Sequence, residues 1–155
     1  VIVRKLGAPF NQELAIGAVG PQKTKILDIK LIKNLGVEED YIKKVSKEQW
    51  QLIAKREKKY RKKTGQELKG KTVILVDDGI ATGATIEVAV KYLRSKKVKK
   101  IVVAVPVSPI DTEQKLKEMA DEVVVLETPI NFYAVGQFYK EFPQVSDDEV
   151  IKLLK

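Results

Sequence analysis

Two adjacent carboxylates, followed by a small hydroxyl-bearing turn, form the part of this 155-residue chain best equipped for chemistry. Residues 72–85 read TVILVDDGIATGAT, with Asp77 and Asp78 at the end of an apolar run and Gly79, Thr82, Gly83 and Thr85 after them. Small residues let backbone N–H groups converge on one point, and a helix's first turn adds unpaired donors at its positive end, an arrangement suited to phosphate. Thr82 and Thr85 add hydroxyl donors. Carboxylates repel phosphate, so Asp77 and Asp78 suit hydroxyl groups or a divalent cation held beside it. A molecule with a phosphate, vicinal hydroxyls and bound Mg²⁺ satisfies all three features. A sugar phosphate fits that description.

The elements that must position these residues are legible around them. Thr72-Val73-Ile74-Leu75-Val76 is β-branched and uninterrupted, which predicts a strand buried on both faces of a parallel sheet. From Ala84 onward, Ala89, Val90 and Leu93 recur at helical spacing among Lys and Glu, so a helix starts there. Three other readings fit less well. A receiver domain needs a phospho-accepting Asp at the end of a later strand, whereas the later strands end at Val105-Pro106 and Leu126-Glu127. A P-loop needs Lys before its final Ser or Thr, and residues 79–85 contain none. A plain strand–helix turn explains the glycines but not the paired acids before Thr-Gly-x-Thr.

VILVDDGIATGAT resembles the phosphoribosyl-diphosphate loop of type I phosphoribosyltransferases. VIVRKLGAPFNQELAIGAVG at the start resembles that family's Arg-Lys strand end and the mobile hairpin after it. DEVVVLETPINFYAVGQFYKEFPQVSDDEV resembles an uncharacterised branch of predicted phosphoribosyltransferases. The resemblance spans nearly the whole chain. It implies that Arg4 and Lys5 face the diphosphate of the donor and that Asp77 and Asp78 hold the ribose hydroxyls, directly or through Mg²⁺. It also implies that Gly79 and the stretch Ala81, Thr82, Gly83, Ala84 and Thr85 cradle the 5-phosphate. The chain opens in mid-strand at Val1, which reads as a truncated or processed start. The family usually carries an earlier strand and a diphosphate-gripping loop, and nothing here matches that loop.

Composition narrows the chemistry further. At this length the expectation is a single domain, residues 1–155, with a substantial core. Histidine and cysteine are both absent, so thiolate metal sites and disulfides are excluded, and any acid or base is a carboxylate, Lys, Tyr, the substrate or water. No apolar run is long enough to span a bilayer, and no signal pattern stands at the start, so a cytoplasmic protein is expected with no membrane partner. The net charge of +8 favours anionic ligands. In Lys55-Arg56-Glu57-Lys58-Lys59-Tyr60-Arg61-Lys62-Lys63, a solvated helix face is the favoured reading over a nucleic-acid surface.

The rest of the chain reads as follows. Val1–Val3 is a short strand ending at Arg4-Lys5, and Leu6 to Asn11 is loop. Leu14 to Gly20 forms a hairpin with Lys25–Leu27. Asp28 caps a short helix to Leu35, with Gly36 at its end. A second helix starts at Glu38 and ends near Val45; Ser46 with Gln49 makes a capping box for a third, Lys47 to Lys63, with Trp50, Ile53, Ala54 and Tyr60 on its apolar side. Residues 28–63 are thus a helical insertion, a hood or an oligomer contact, ended by Thr64-Gly65. Ile101–Val105 is a strand broken by Pro106, Asp111 caps a helix facing the sheet through Leu116, Met119 and Ala120, and Val123–Leu126 is a strand. The aromatic C-terminal segment, 129–155, offers Phe132 or Tyr133 as a stacking platform for a planar acceptor, with core packing as the even alternative. A last helix, Asp147 to Leu154, is capped by Ser146.

Alternating strands and helices imply an α/β fold: an open parallel sheet with flanking helices, a Rossmann-like core of the type I phosphoribosyltransferase kind. In such sheets ligands bind outside the carboxyl ends of the strands, where Arg4-Lys5, Asp77-Asp78, Val107-Ser108 and Glu127-Thr128 would all emerge. The expected activity is transfer of ribose 5-phosphate from phosphoribosyl diphosphate to an unidentified nitrogenous acceptor, with Mg²⁺ as cofactor and a homodimer as the assembly. The competing readings are a non-catalytic phosphoribosyl-ligand-binding or regulatory domain and, further back, a nucleic-acid-binding module.

Overall fold

A computed structural model describes residues 1–60 and 67–153. They fall into two compact units, Val1–Lys62 with Ala84–Tyr92, and Lys63–Gly83 with Leu93–Lys155. No helix among the described residues is long and apolar enough to cross a membrane.

The first unit is built on an antiparallel sheet in the order β1-β2-β3: β1 (Arg4–Ala8), β2 (Asn11–Val19) and β3 (Lys25–Leu27). Arg4 pairs with Val19 and Ala8 with Asn11 across a tight turn in which Phe10 is exposed. The hairpin expected between β2 and β3 is present, with Gly17 opposite Leu27. The first strand is displaced from its expected place. Leu6, Gly7 and Ala8 are buried in succession while Val1 is half-exposed, so the buried run that anchors the strand lies after Arg4 and not before it. Arg4 and Lys5 therefore open an antiparallel strand and are not the exit of a parallel one.

Asp28 accepts from the Leu31 N–H at 2.9 Å and starts α1 (Ile29–Asn34), and Gly36 takes the left-handed conformation after it. The next helix, α2 (Glu39–Tyr60), is continuous. It replaces the two helices expected on either side of Val45, because Ser46 does not cap: it is buried in mid-helix, and the Gln49 side chain accepts from Arg4 Nε at 2.9 Å. Ile42, Ser46 and Ile53 are the buried residues of α2, whereas Ala54 is exposed and Tyr60 half-buried. The helix end expected at Lys63 and the Thr64-Gly65 stop lie outside the described residues. Ile42 and Ile53 join Leu6, Ala8, Ile16, Val19, Ile32 and Val37 in one core, with Trp50 packed against it as expected.

The second unit is the parallel sheet. β4 (Thr72–Val76), β5 (Lys100–Val107) and β6 (Glu122–Glu127) lie in that order, with Leu75 opposite Val103 and Val105 opposite Val125. The helix α3 (Ala84–Ser95) links β4 to β5 and α4 (Ile110–Lys117) links β5 to β6. This is the expected α/β class. Strand β5 runs through Pro106 and is not broken by it, since the ladder resumes at once: the Ser108 N–H donates to the Glu127 carbonyl and the Val107 carbonyl accepts from the Ile80 N–H. Pro109, not Asp111, occupies the cap position of α4, whose Leu116 is fully buried; Ala120, just beyond the helix, is nearly so.

Burial alternates along all three strands. Ile101, Val103, Val105 and Val107 are buried and share their face with half-buried Val73, Leu75, Val123 and Val125. On the other face Ile74, Val76 and Leu126 are 61%, 75% and 76% exposed. The strand Thr72–Val76, expected to be buried on both faces, is thus covered on one face only. The C-terminal α5 (Asp147–Leu153) begins with the expected cap: Ser146 N donates to Glu149 Oε2 at 2.8 Å, and Ser146 Oγ accepts from the Glu149 N–H. Its expected end at Leu154 lies outside the described residues.

Candidate functional site

Residues 77–83 leave the C-terminal end of β4 and are fixed from several directions within the second unit. The Asp78 N–H donates to Asp77 Oδ1 at 3.1 Å, which ties the acid pair to itself. The Asp78 carbonyl accepts from Tyr139 Oη at 2.6 Å. Gly79 is buried, and a Cβ there would fall 2.7 Å from Val135 Cγ1 and 2.8 Å from Val107 Cγ1. Ile80 is inserted almost completely and its N–H donates to the Val107 carbonyl at 2.9 Å. The Ala81 carbonyl accepts from Thr112 Oγ1 at 2.8 Å. Gly83 then sits at the N-cap of α3 with φ of 80°, a conformation that glycine adopts without the Cβ clash other residues incur.

Partial burial of the Asp77 carboxyl raises its pKa above the ordinary value. The Asp78 N–H opposes that rise, and the neighbouring Asp78 carboxylate adds to it. A cation or a set of hydroxyl donors at this point would offset the cost of holding the charge there. No group of three or more His, Cys, Asp or Glu is gathered among the described residues. Two adjacent carboxylates nonetheless fit Mg²⁺, which is ordinarily held by one or two carboxylates together with substrate phosphates and water.

Each remaining residue expected at the site has a defined place. Thr82 is exposed, and Ala84 and Thr85 occupy the half-buried first turn of α3. In the first unit, Arg4 is half-buried and bonded to Gln49, while Lys5 is exposed and lines a cleft of about 270 Å³ with Gln12, Tyr41, Lys44 and Glu48. None of residues 77–85 lines that cleft. In the aromatic segment Phe132 packs on Phe138 with ring centroids 5.3 Å apart, whereas Tyr133 is 87% exposed. Of the proposed stacking pair, only Tyr133 presents an open ring.

Sequence reasoning missed Tyr139, Thr112 and Val135. Tyr139 lies in the aromatic segment in which only Phe132 and Tyr133 stand out from the sequence, although a tyrosine hydroxyl among apolar rings calls for a partner. Thr112 lay beside the carboxylate taken for a cap.

The phosphoribosyl transferase domain family matches residues 3–142 of this chain. The chain belongs to that family. Two Mycobacterium tuberculosis proteins, each provisionally named a phosphoribosyl transferase, are 39% identical to it over 155 residues, 99% of this chain but only 35% of theirs. The chain thus spans about a third of the length of these relatives. The crystal structure of TT1426 from Thermus thermophilus is 38% identical, with a TM-score of 0.75 over 99% of this chain and 73% of that one.

Proposed function

We propose that residues 1–155 act as one phosphoribosyltransferase domain, transferring ribose 5-phosphate from phosphoribosyl diphosphate to a nitrogenous base or amine with release of diphosphate. The observation that carries this reading is the acid pair Asp77-Asp78 at a parallel-strand exit, leading through a fixed loop into a helix N-terminus. Family membership supports it.

Each residue has a role in the reading. Asp77 and Asp78 accept hydrogen bonds from the ribose hydroxyls and are the residues that would hold Mg²⁺. When bound, Mg²⁺ supplies positive charge that stabilises the departing diphosphate. Gly79, Ala81, Thr82, Gly83, Ala84 and Thr85 hold the 5-phosphate through backbone N–H groups and hydroxyls. Arg4 and Lys5, by family resemblance, meet the diphosphate with fixed positive charge. Tyr133 offers an open ring to a planar acceptor, and Phe132 supports the segment through its contact with Phe138. No general base is assigned to the chain; without histidine or cysteine, that role would fall to a carboxylate, Lys, Tyr, the substrate or water.

Calorimetric titration with phosphoribosyl diphosphate, with and without Mg²⁺, tests the reading. Micromolar binding that requires Mg²⁺ is expected. Equal binding after the double change Asp77→Asn, Asp78→Asn would refute the site.

A further inference from the structure

The acid-pair loop carries two hydrogen bonds that neither the proposed chemistry nor the family assignment uses. Tyr139 Oη donates to the Asp78 carbonyl at 2.6 Å, and Thr112 Oγ1 donates to the Ala81 carbonyl at 2.8 Å. Tyr139 comes from the aromatic C-terminal segment, and Thr112, nearly fully buried, from the first turn of α4. Two separate elements therefore grip two carbonyls of one seven-residue loop.

The consequence follows from peptide geometry. A trans peptide points its C=O and N–H in nearly opposite directions, and the peptides among the described residues are all trans. Fixing the Asp78 carbonyl on Tyr139 aims the Gly79 N–H away from Tyr139. Fixing the Ala81 carbonyl on Thr112 aims the Thr82 N–H away from Thr112. Among the described residues neither N–H has an acceptor. Gly79 is buried, and buried N–H groups rarely stay unpaired. The Ile80 N–H lies between them and is already bound to the Val107 carbonyl. Within the loop the Ile80 N–H serves as an anchor, while the Gly79 and Thr82 N–H groups stay free to donate.

We infer that Tyr139 and Thr112 are positioning residues: by holding the Asp78 and Ala81 carbonyls, they present the Gly79 and Thr82 N–H groups to the anionic oxygen of a sugar phosphate. The inference rests on the reading of this loop as the phosphoribosyl site. Neither side chain touches the ligand. Each acts through the peptide it orients.

The test uses ribose 5-phosphate with Mg²⁺ as the probe, on the wild-type chain and three variants, read by calorimetry, thermal melting and amide proton shifts. Tyr139→Phe removes one hydroxyl from a partly exposed ring, Thr112→Val removes the other, and Thr112→Ser keeps it. Losing a single neutral hydrogen bond predicts a fall in affinity of about three- to tenfold for Tyr139→Phe and for Thr112→Val. Thr112→Ser should stay within about twofold, since its hydroxyl remains. In the wild type, the Gly79 and Thr82 amide protons should move downfield on saturation. Tyr139→Phe should blunt the Gly79 response and Thr112→Val the Thr82 response, an amide-specific effect that a general loss of stability would not produce. Wild-type binding with unchanged affinity and amide shifts in Tyr139→Phe and Thr112→Val overturns the positioning role alone. Absence of ribose 5-phosphate binding by the wild type overturns the site reading and this inference with it.

Discussion

Val135 occupies the space that a side chain on Gly79 would need, with its Cγ1 2.7 Å from the position a Cβ would take. Val107 closes the same space from β5 at 2.8 Å. Both neighbours are β-branched and hold one χ1 well, so neither methyl can swing aside without cost. Gly79→Ala should therefore destabilise the protein by about 1–3 kcal/mol, the usual range for overpacking. A denaturant melt checks this, and the loss should come with weaker sugar-phosphate binding because the acid pair is pushed out of place. Wild-type stability in this variant would show that the loop tolerates a wider turn.

The acid pair itself should behave oppositely in stability and in binding. Partial burial of its carboxyl and repulsion from the Asp78 carboxylate hold Asp77 above its ordinary pKa, so its ionised form is disfavoured in the folded ligand-free protein. Asp77→Asn with Asp78→Asn removes that cost along with the cation and hydroxyl acceptors. The expected result is a melting temperature at or above wild type together with loss of Mg²⁺-dependent binding. Thermal shift with and without phosphoribosyl diphosphate and Mg²⁺ reads both at once.

A pH-dependent contribution comes from Asp121, far along the chain from the acid pair. Its Oδ2 accepts from Arg94 Nη1 at 2.9 Å and from the Ile101 N–H at 2.7 Å, at the start of β5. The Arg94 side chain, then the Ile101 amide, lower its pKa below the ordinary 3.8. The folded state therefore binds this proton less tightly than the unfolded chain does. Its stabilisation is complete above the unfolded pKa and fades as pH falls through the lowered folded one. Asp121→Asn should be less stable than wild type at pH 7, and the gap should shrink as the pH is taken below that ordinary value. A gap that stays constant with pH would mean the pair acts by packing alone.

Ser46 is 1% exposed, and its hydroxyl has no partner among the described residues. It sits inside α2, where alanine is the better helix former. Ser46→Ala should raise stability by about 1–2 kcal/mol, by removing an unsatisfied buried group and improving helix propensity. Unchanged or lower stability would point to a polar contact absent from this arrangement.

Ser46 also shows where sequence reasoning fails. Ser-x-x-Gln is a local capping pattern, but Gln49 is claimed by Arg4, forty-five positions away, and Ile42 and Ile53 carry one apolar face through the point of the expected break. No local rule sees that competition. The same limit displaced the first strand: Val1-Ile2-Val3 looks like a strand in isolation, yet the partner register starts at Arg4. The Asp28 and Ser146 caps, the three parallel strands and the helix beginning at Ala84 were legible because each is decided within a few residues. The acid pair was legible for the same reason, being contiguous. The groups that hold its loop, Tyr139 at Asp78 and Thr112 at Ala81, meet it only after folding and left no pattern to read.

The open side of the parallel sheet also governs how this chain behaves in the hand. Ile74 and Val76 on one outer strand and Val124 and Leu126 on the other, with half-buried Val102 and Ala104 of β5 between them, form a small greasy plate on a cationic molecule. Such a plate makes the purified chain surface-active. Retention on phenyl resin should rise steeply with ammonium sulfate, and stirring at an air–water boundary should deplete the solution. Threonine at Val76 and Leu126 keeps β propensity while wetting the plate, and should release the chain from the resin at lower salt without unfolding it.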